Sequence, residues 1–160
     1  MDYAQIFDKV KDSILDISIT DGIEIQPMGS GVLIGNGNKA LTCAHCVNPQ
    51  KKVLAKFSGS SSCFQGNIEY CNNELDVALI NFERQIGKGA VIRNSDSVKI
   101  GNDSLIVGFP LKIHEITLLT GNIAGFYPQN GRWYSLIRIN ASVNHGNSEG
   151  PLFNTCGELV

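Results

Sequence analysis

The chain has 160 residues, 42% of them hydrophobic and 18% charged, with a formal charge of −2 from 13 Lys and Arg against 15 Asp and Glu. That length suits one packed domain or two small barrels sharing an interface, and the composition is too apolar and too weakly charged for a disordered chain. The charge balance offers no basic footprint for nucleic acid or an anionic membrane, and no apolar run reaches the roughly 20 residues of a membrane helix.

Residues 3–15 carry Tyr3, Ile6, Phe7, Val10 and Ile14 at spacings that suit one face of a helix, with Asp2 placed to cap it. From there the pattern becomes short strands: residues 14–19, 31–35, 40–43 and 53–57, then 76–82, 104–109, 115–119, 123–127 and 133–139. Gly, Asn and Pro clusters separate them, and 17 glycines suit so many turns. The expected class is all-β, a sandwich or barrel preceded by a short N-terminal helix. No composition shift marks a linker.

Five cysteines stand at positions 43, 46, 63, 71 and 156, an odd count that leaves at least one thiol outside any pairing. Residues 1–9 show no basic segment followed by an apolar one. Reduced thiols in a cytoplasmic or other intracellular compartment, without structural disulfides, are the expectation. A metal or redox module at Cys43-x-x-Cys46 is a competing reading, weakened because Cys63 and Cys71 do not form a second tight knuckle.

Three segments carry the chemistry: residues 41–47 with His45, residues 74–80 with Asp76, and residues 144–152 with Ser148. A serine hydroxyl needs a base to become a nucleophile, and histidine supplies one near neutral pH. A carboxylate fixes the ring tautomer and stabilises the imidazolium. The developing oxyanion needs preset donors, which the amides of Gly146 and Ser148 can supply from a Gly-x-Ser turn. Alone, each residue is more often a structural or surface residue; their joint occurrence in the order His, Asp, Ser reverses that weighting.

In that order, the segments resemble those of the chymotrypsin-like serine proteases, and more closely the HtrA-type branch. The resemblance includes the helix and strand of residues 3–19, Gly29-Ser30-Gly31, Leu41 to His45, Asp76 to Leu79, Ile100 to Pro110, and Asn140 to Leu152. It implies a double six-stranded β-barrel. The helix and first barrel would occupy about 1–95, and a second barrel, truncated at the C-terminal end, about 96–160, within one protease domain. It further implies a serine endopeptidase with His45 as base, Asp76 as its orienting carboxylate, Ser148 as nucleophile, and Gly146 and Ser148 at the oxyanion hole. The resemblance also implies that Ser142 falls at the base of the primary specificity pocket; being uncharged, it would favour a small or medium apolar residue over Lys or Arg. His145, beside the oxyanion turn, is a candidate substrate contact.

The substrates implied are proteins or peptides, with no metal or organic cofactor, no nucleic acid and no membrane. An oligomer or a further C-terminal segment or domain fits the same resemblance. Asn147 stands where zymogen relatives carry an Asp, so activation by a new amino terminus is not expected. Glu149 follows the nucleophile where glycine is usual. Its charge near His45 favours the protonated ring. A catalytically impaired module that binds peptides or partner proteins is therefore the alternative reading.

Overall fold

The computed structural model describes residues 1–110, 113–141 and 150–160. Helix α1 spans Tyr3–Val10, and the Asp2 carboxylate accepts the N–H groups of Ala4 and Gln5 at 3.0 and 3.3 Å, as a cap should. The helical spacing predicted through Ile14 stops early. A single 3₁₀ turn, Lys11–Ser13, intervenes, and Ile14 enters strand β1 (Ile14–Thr20) opposite Val32. β-branched Ile14 gains a ladder partner there and a buried site, which outweighs the continuation of a helical stripe.

Strands β2 (Ile25–Ile34), β3 (Lys39–Thr42), β4 (Lys52–Lys56), β5 (Phe64–Asn72) and β6 (Val77–Asn81) follow. With β1 they close a six-stranded barrel in the order β1-β2-β3-β6-β5-β4. Every pairing is antiparallel. Its interior is filled by Leu15, Ile17, Leu33, Ala40, Val53, Ala55, Ile80 and Phe82. Strand β5 has no counterpart among the predicted strands. Its sequence, Phe-Gln-Gly-Asn-Ile-Glu-Tyr-Cys-Asn, alternates polar residues with Phe64, Gly66 and Ile68; Phe64 and Ile68 pack against the barrel core, and the glycine between them interrupts the apolar alternation that marks a strand.

Strands β7 (Asp103–Gly108), β8 (Thr117–Pro128), β9 (Ser135–Asn140) and β10 (Leu152–Asn154) form a second sheet in the order β10-β7-β8-β9. Among the described residues it is open rather than closed, in line with the incomplete second barrel expected. The two segments expected at 115–119 and 123–127 form one strand, β8, with a register irregularity between Ile123 and Gly125. Gly121 is not a turn residue: a Cβ there would lie 2.3 Å from the Asn140 carbonyl oxygen, so glycine serves close strand approach. Strand β9 begins two residues later than expected, and Trp133, ahead of it, is 90% exposed.

Side chains alternate across a strand, so adjacent residues feed two cores. Leu15 and Leu33 point into the barrel, while Ile14 and Val32 point to the seam. At the seam they meet Val10, Leu105, Val107, Phe109 and Phe153, with Tyr3, Ile6 and Phe7 of α1 packed against them. Polar contacts tie the same seam. Ser30 Oγ accepts the Phe109 N–H at 2.7 Å, and Thr42 Oγ1 donates to the Ser30 carbonyl at 2.8 Å. The second sheet is thereby held against the barrel edge that carries the end of β3.

Candidate active site

β3 and β6 are antiparallel neighbours in the barrel wall, with Thr42 opposite Ala78. The residues after Thr42 and those before Ala78 therefore emerge at the same end of the barrel. Cys43 follows β3 in extended conformation, and Ala44–Cys46 make a single 3₁₀ turn that carries His45. On the facing side, Asn72 Oδ1 accepts the N–H groups of Glu74 and Leu75 at 3.0 and 2.9 Å, shaping the turn that leads to Asp76. Asp76 has φ +54°, in the left-handed region that Asp tolerates better than most residues.

That turn brings His45 and Asp76, 31 residues apart in sequence, into a double contact. Asp76 Oδ1 accepts the His45 backbone N–H at 2.9 Å, and Asp76 Oδ2 lies 2.7 Å from His45 Nδ1. Partial burial pushes the Asp76 carboxyl up. The His45 amide, the His45 ring and its charge, and the Ala44 amide together outweigh that push and hold it below its ordinary value. An ionised carboxylate can only accept, so in the neutral ring the proton sits on Nδ1. That tautomer is the one a general base needs. Both side chains remain about half exposed.

Ser142, His145, Gly146, Asn147, Ser148 and Glu149 lie outside the described residues, so the candidate nucleophile, oxyanion donors and specificity position have no geometry here. The chain is described again from Gly150. A Cβ on Gly150 would lie 2.8 Å from Ile106 Cγ2, so this residue packs closely on β7. The next two residues, Pro151 and Leu152, line a cavity of about 260 Å³ together with Thr42, Cys43, Asp76 and Val77. The stretch just after Ser148 thus shares a cavity wall with the carboxylate of the His–Asp pair.

Two features escaped the sequence reading. Asn72, which shapes the Asp76 turn, stands in a plain Asn-Asn-Glu-Leu-Asp run whose turn character was the only available signal. His114, whose side chain is 58% exposed, places Nδ1 2.7 Å from Asp16 Oδ2, a carboxylate buried in β1. Among the described residues the group of possible metal ligands around Cys43 comprises His45 and Asp76 rather than Cys46, whose buried thiol donates to the Met28 carbonyl at 3.6 Å.

Residues 29–160 match the family described as the trypsin-like peptidase domain. The chain belongs to that family. Among curated relatives of this trypsin-like peptidase domain is a probable periplasmic serine endoprotease, DegP-like, of Pseudomonas fulva, 30% identical over 138 residues. The alignment covers 86% of this chain and 29% of that protein. Protease Do-like 2, chloroplastic, of Arabidopsis thaliana is 31% identical over 138 residues, covering 82% of this chain and 23% of the relative.

An HtrA-type protease AlgW solved with a decapeptide superposes with a TM-score of 0.86 at 16% identity, over all of this chain and 57% of that one. A crystal structure of Deg5 gives 0.81 at 19% identity, over 99% and 81%. At those identities the two structures establish the fold. The chain spans less than a third of the length of the two curated relatives.

The relatives correct one expectation. They are named periplasmic and chloroplastic, which points to a non-cytoplasmic compartment and overturns the cytoplasmic or other intracellular location, with its reduced thiols, read from residues 1–9 and the cysteine count. A chain spanning so small a share of its relatives carries no information on targeting in its first residues, and thiol count alone does not report a compartment.

Proposed function

We propose that this trypsin-like peptidase domain is a serine endopeptidase domain in which Ser148, His45 and Asp76 act as one unit. The observation that carries the reading is the double contact of Asp76 with His45, which fixes the ring and puts its proton on Nδ1 in the neutral form. Ser148 Oγ attacks a peptide carbonyl while His45 Nε2 takes its proton. The amides of Gly146 and Ser148 stabilise the oxyanion, and His45 returns the proton to the leaving amine. Water, activated by the same base, then hydrolyses the acyl-enzyme. Asp76 keeps its charge throughout and steadies the imidazolium.

In this reading, residues to about 95 bring the base and carboxylate, and residues from about 96 bring the nucleophile, the uncharged pocket position Ser142, and His145 beside the substrate. The substrates are protein or peptide chains, in keeping with relatives named endoproteases. An oligomer or a further C-terminal segment would cover the outer part of the second sheet, where Tyr127 and Leu136 are exposed.

A fluorophosphonate probe tests the reading. The folded protein is expected to become labelled in equal stoichiometry, and Ser148→Ala to remain unlabelled. A folded wild type that binds peptide yet resists the probe would instead make the chain a binding module, with Glu149 after the nucleophile as the departure to examine.

A further inference from the structure

Peptide hydrolysis gives Cys43 nothing to do, yet its thiol sits beside the two residues that make the base. One donor atom each from Cys43, His45 and Asp76 lie within 4.8 Å of one another. We propose that these three residues bind a thiophilic divalent ion of the zinc class, and that its occupation shuts off the His45 base. The shut-off rests on the proposed role of His45; the ion site itself does not.

The geometry is close to what such an ion requires. Zinc bound by one sulfur, one nitrogen and one oxygen, at about 2.3, 2.0 and 2.1 Å, sets its ligand atoms roughly 3.3–3.6 Å apart in a tetrahedron. The three donors need to draw together by about 1 Å or so at their widest, and the 2.7 Å His45–Asp76 contact needs to open by less than that.

The scaffold is firm. Cys43 and His45 are two residues apart at the end of β3, and Asp76 precedes β6, its ladder neighbour. Cys43 is partly buried while the other two are open to solvent, so an ion can enter and keep a water at its fourth position. A thiolate with an imidazole and a carboxylate selects Zn²⁺, Co²⁺ or Cd²⁺ over Mg²⁺ and Ca²⁺, which prefer oxygen alone.

Binding releases the thiol proton to solvent. If Nδ1 is the ligand, the ring proton moves by exchange with solvent from Nδ1 to Nε2, so the neutral ring has no lone pair left for Ser148 and loses its orienting carboxylate. If Nε2 is the ligand, the lone pair that would take the Ser148 proton is used by the metal. With either nitrogen, the occupied site has no base.

Cobalt titration of the reduced, metal-free protein tests the site without reference to activity. One equivalent should bind, with a sulfur-to-cobalt charge-transfer band in the near ultraviolet and the visible bands of a tetrahedral ion. Zinc should displace it. Cys43→Ser should lose the charge-transfer band and Cys46→Ser should keep it, while Asp76→Ala should weaken cobalt binding tenfold or more. A second measurement reads the shut-off: zinc should slow fluorophosphonate labelling at least tenfold relative to the same protein with chelator, and Cys43→Ser should lose that ratio.

Absence of the band in wild type, or its survival in Cys43→Ser, overturns the site. Unchanged labelling with the band present overturns the shut-off. A protein that resists the probe altogether removes the endopeptidase reading and the shut-off with it, while the cobalt titration still decides the site.

Discussion

Asp76 holds His45 at two points, taking its backbone N–H on one carboxylate oxygen at 2.9 Å and facing its ring Nδ1 with the other at 2.7 Å. The first contact locates the residue and the second sets the ring's tautomer. Asp76→Asn separates the two. Asn accepts the left-handed backbone conformation of this position as readily as Asp, so the turn is retained. Its amide oxygen can serve only one of the two contacts. With the oxygen on the backbone N–H, the NH₂ group faces Nδ1 and drives the ring proton to Nε2, where a base cannot use it. The expected outcome is a fall in kcat of about 10³–10⁴-fold with little change in KM or in thermal midpoint. A fall below tenfold would remove Asp76 from the proposed unit.

Ser30 couples the barrel to the second sheet. It is 1% exposed, and its Oγ accepts the Phe109 N–H at 2.7 Å. Ser30→Ala removes that acceptor and leaves a buried amide without a partner, while the small change in volume leaves packing intact. A loss of about 1–3 kcal/mol in unfolding free energy is expected from urea titration, with an unchanged denaturant slope. A cost near zero would mean that water reaches the seam.

Much of this organisation was readable in the sequence because it rests on local or type-specific signals. The Asp2 cap, the apolar stripe of α1 and most of the strands follow from spacing and capping chemistry. His45 and Asp76 were singled out because each stood in a segment whose chemistry required the other. What was not readable depends on partners distant in sequence. β5 offers only Phe64 and Ile68 to the core, interrupted by Gly66, and its ladders to β4 and β6 complete its placement. His114 meets Asp16 across 98 residues, and neither residue's surroundings announce the other. Ile14 satisfied the helical pattern and the strand pattern alike, and only the partner Val32 decides between them.

Gly121 is the sharpest of these cases, since Thr120-Gly121-Asn122 has the composition of a turn but lies inside β8. The reason is spatial: a Cβ at Gly121 would meet the Asn140 carbonyl oxygen at 2.3 Å. Gly121→Val should force β8 and β9 apart and cost about 1–3 kcal/mol. Gly125, in the same strand, has nothing within 4 Å of its would-be Cβ. Gly125→Ala should therefore leave the thermal midpoint unchanged or slightly raised. Equal effects at the two positions would mean that β8 is broken at Gly121 after all.

The loop joining β1 to β2 should loosen in acid, and one carboxylate is responsible. Asp21 Oδ1 accepts the N–H groups of Ile23 and Glu24, each at 2.9 Å. The Glu24 amide first, then the Ile23 amide, hold the Asp21 carboxyl below its ordinary value. A carboxyl depressed in the folded state contributes stability that is fully present above the ordinary carboxylate range and is lost as pH falls through the lowered value. Protection factors of the Ile23 and Glu24 amides, corrected for intrinsic exchange, should therefore be flat from neutral pH down to the carboxylate range and drop below it. The Thr20 hydroxyl also closes this loop, donating to the Glu24 carbonyl at 2.6 Å, and it carries no charge to lose. Asp21→Asn keeps an acceptor oxygen without the titration, so it should flatten the acid drop rather than abolish the turn. A drop that persists unchanged in Asp21→Asn would assign the acid sensitivity to another group.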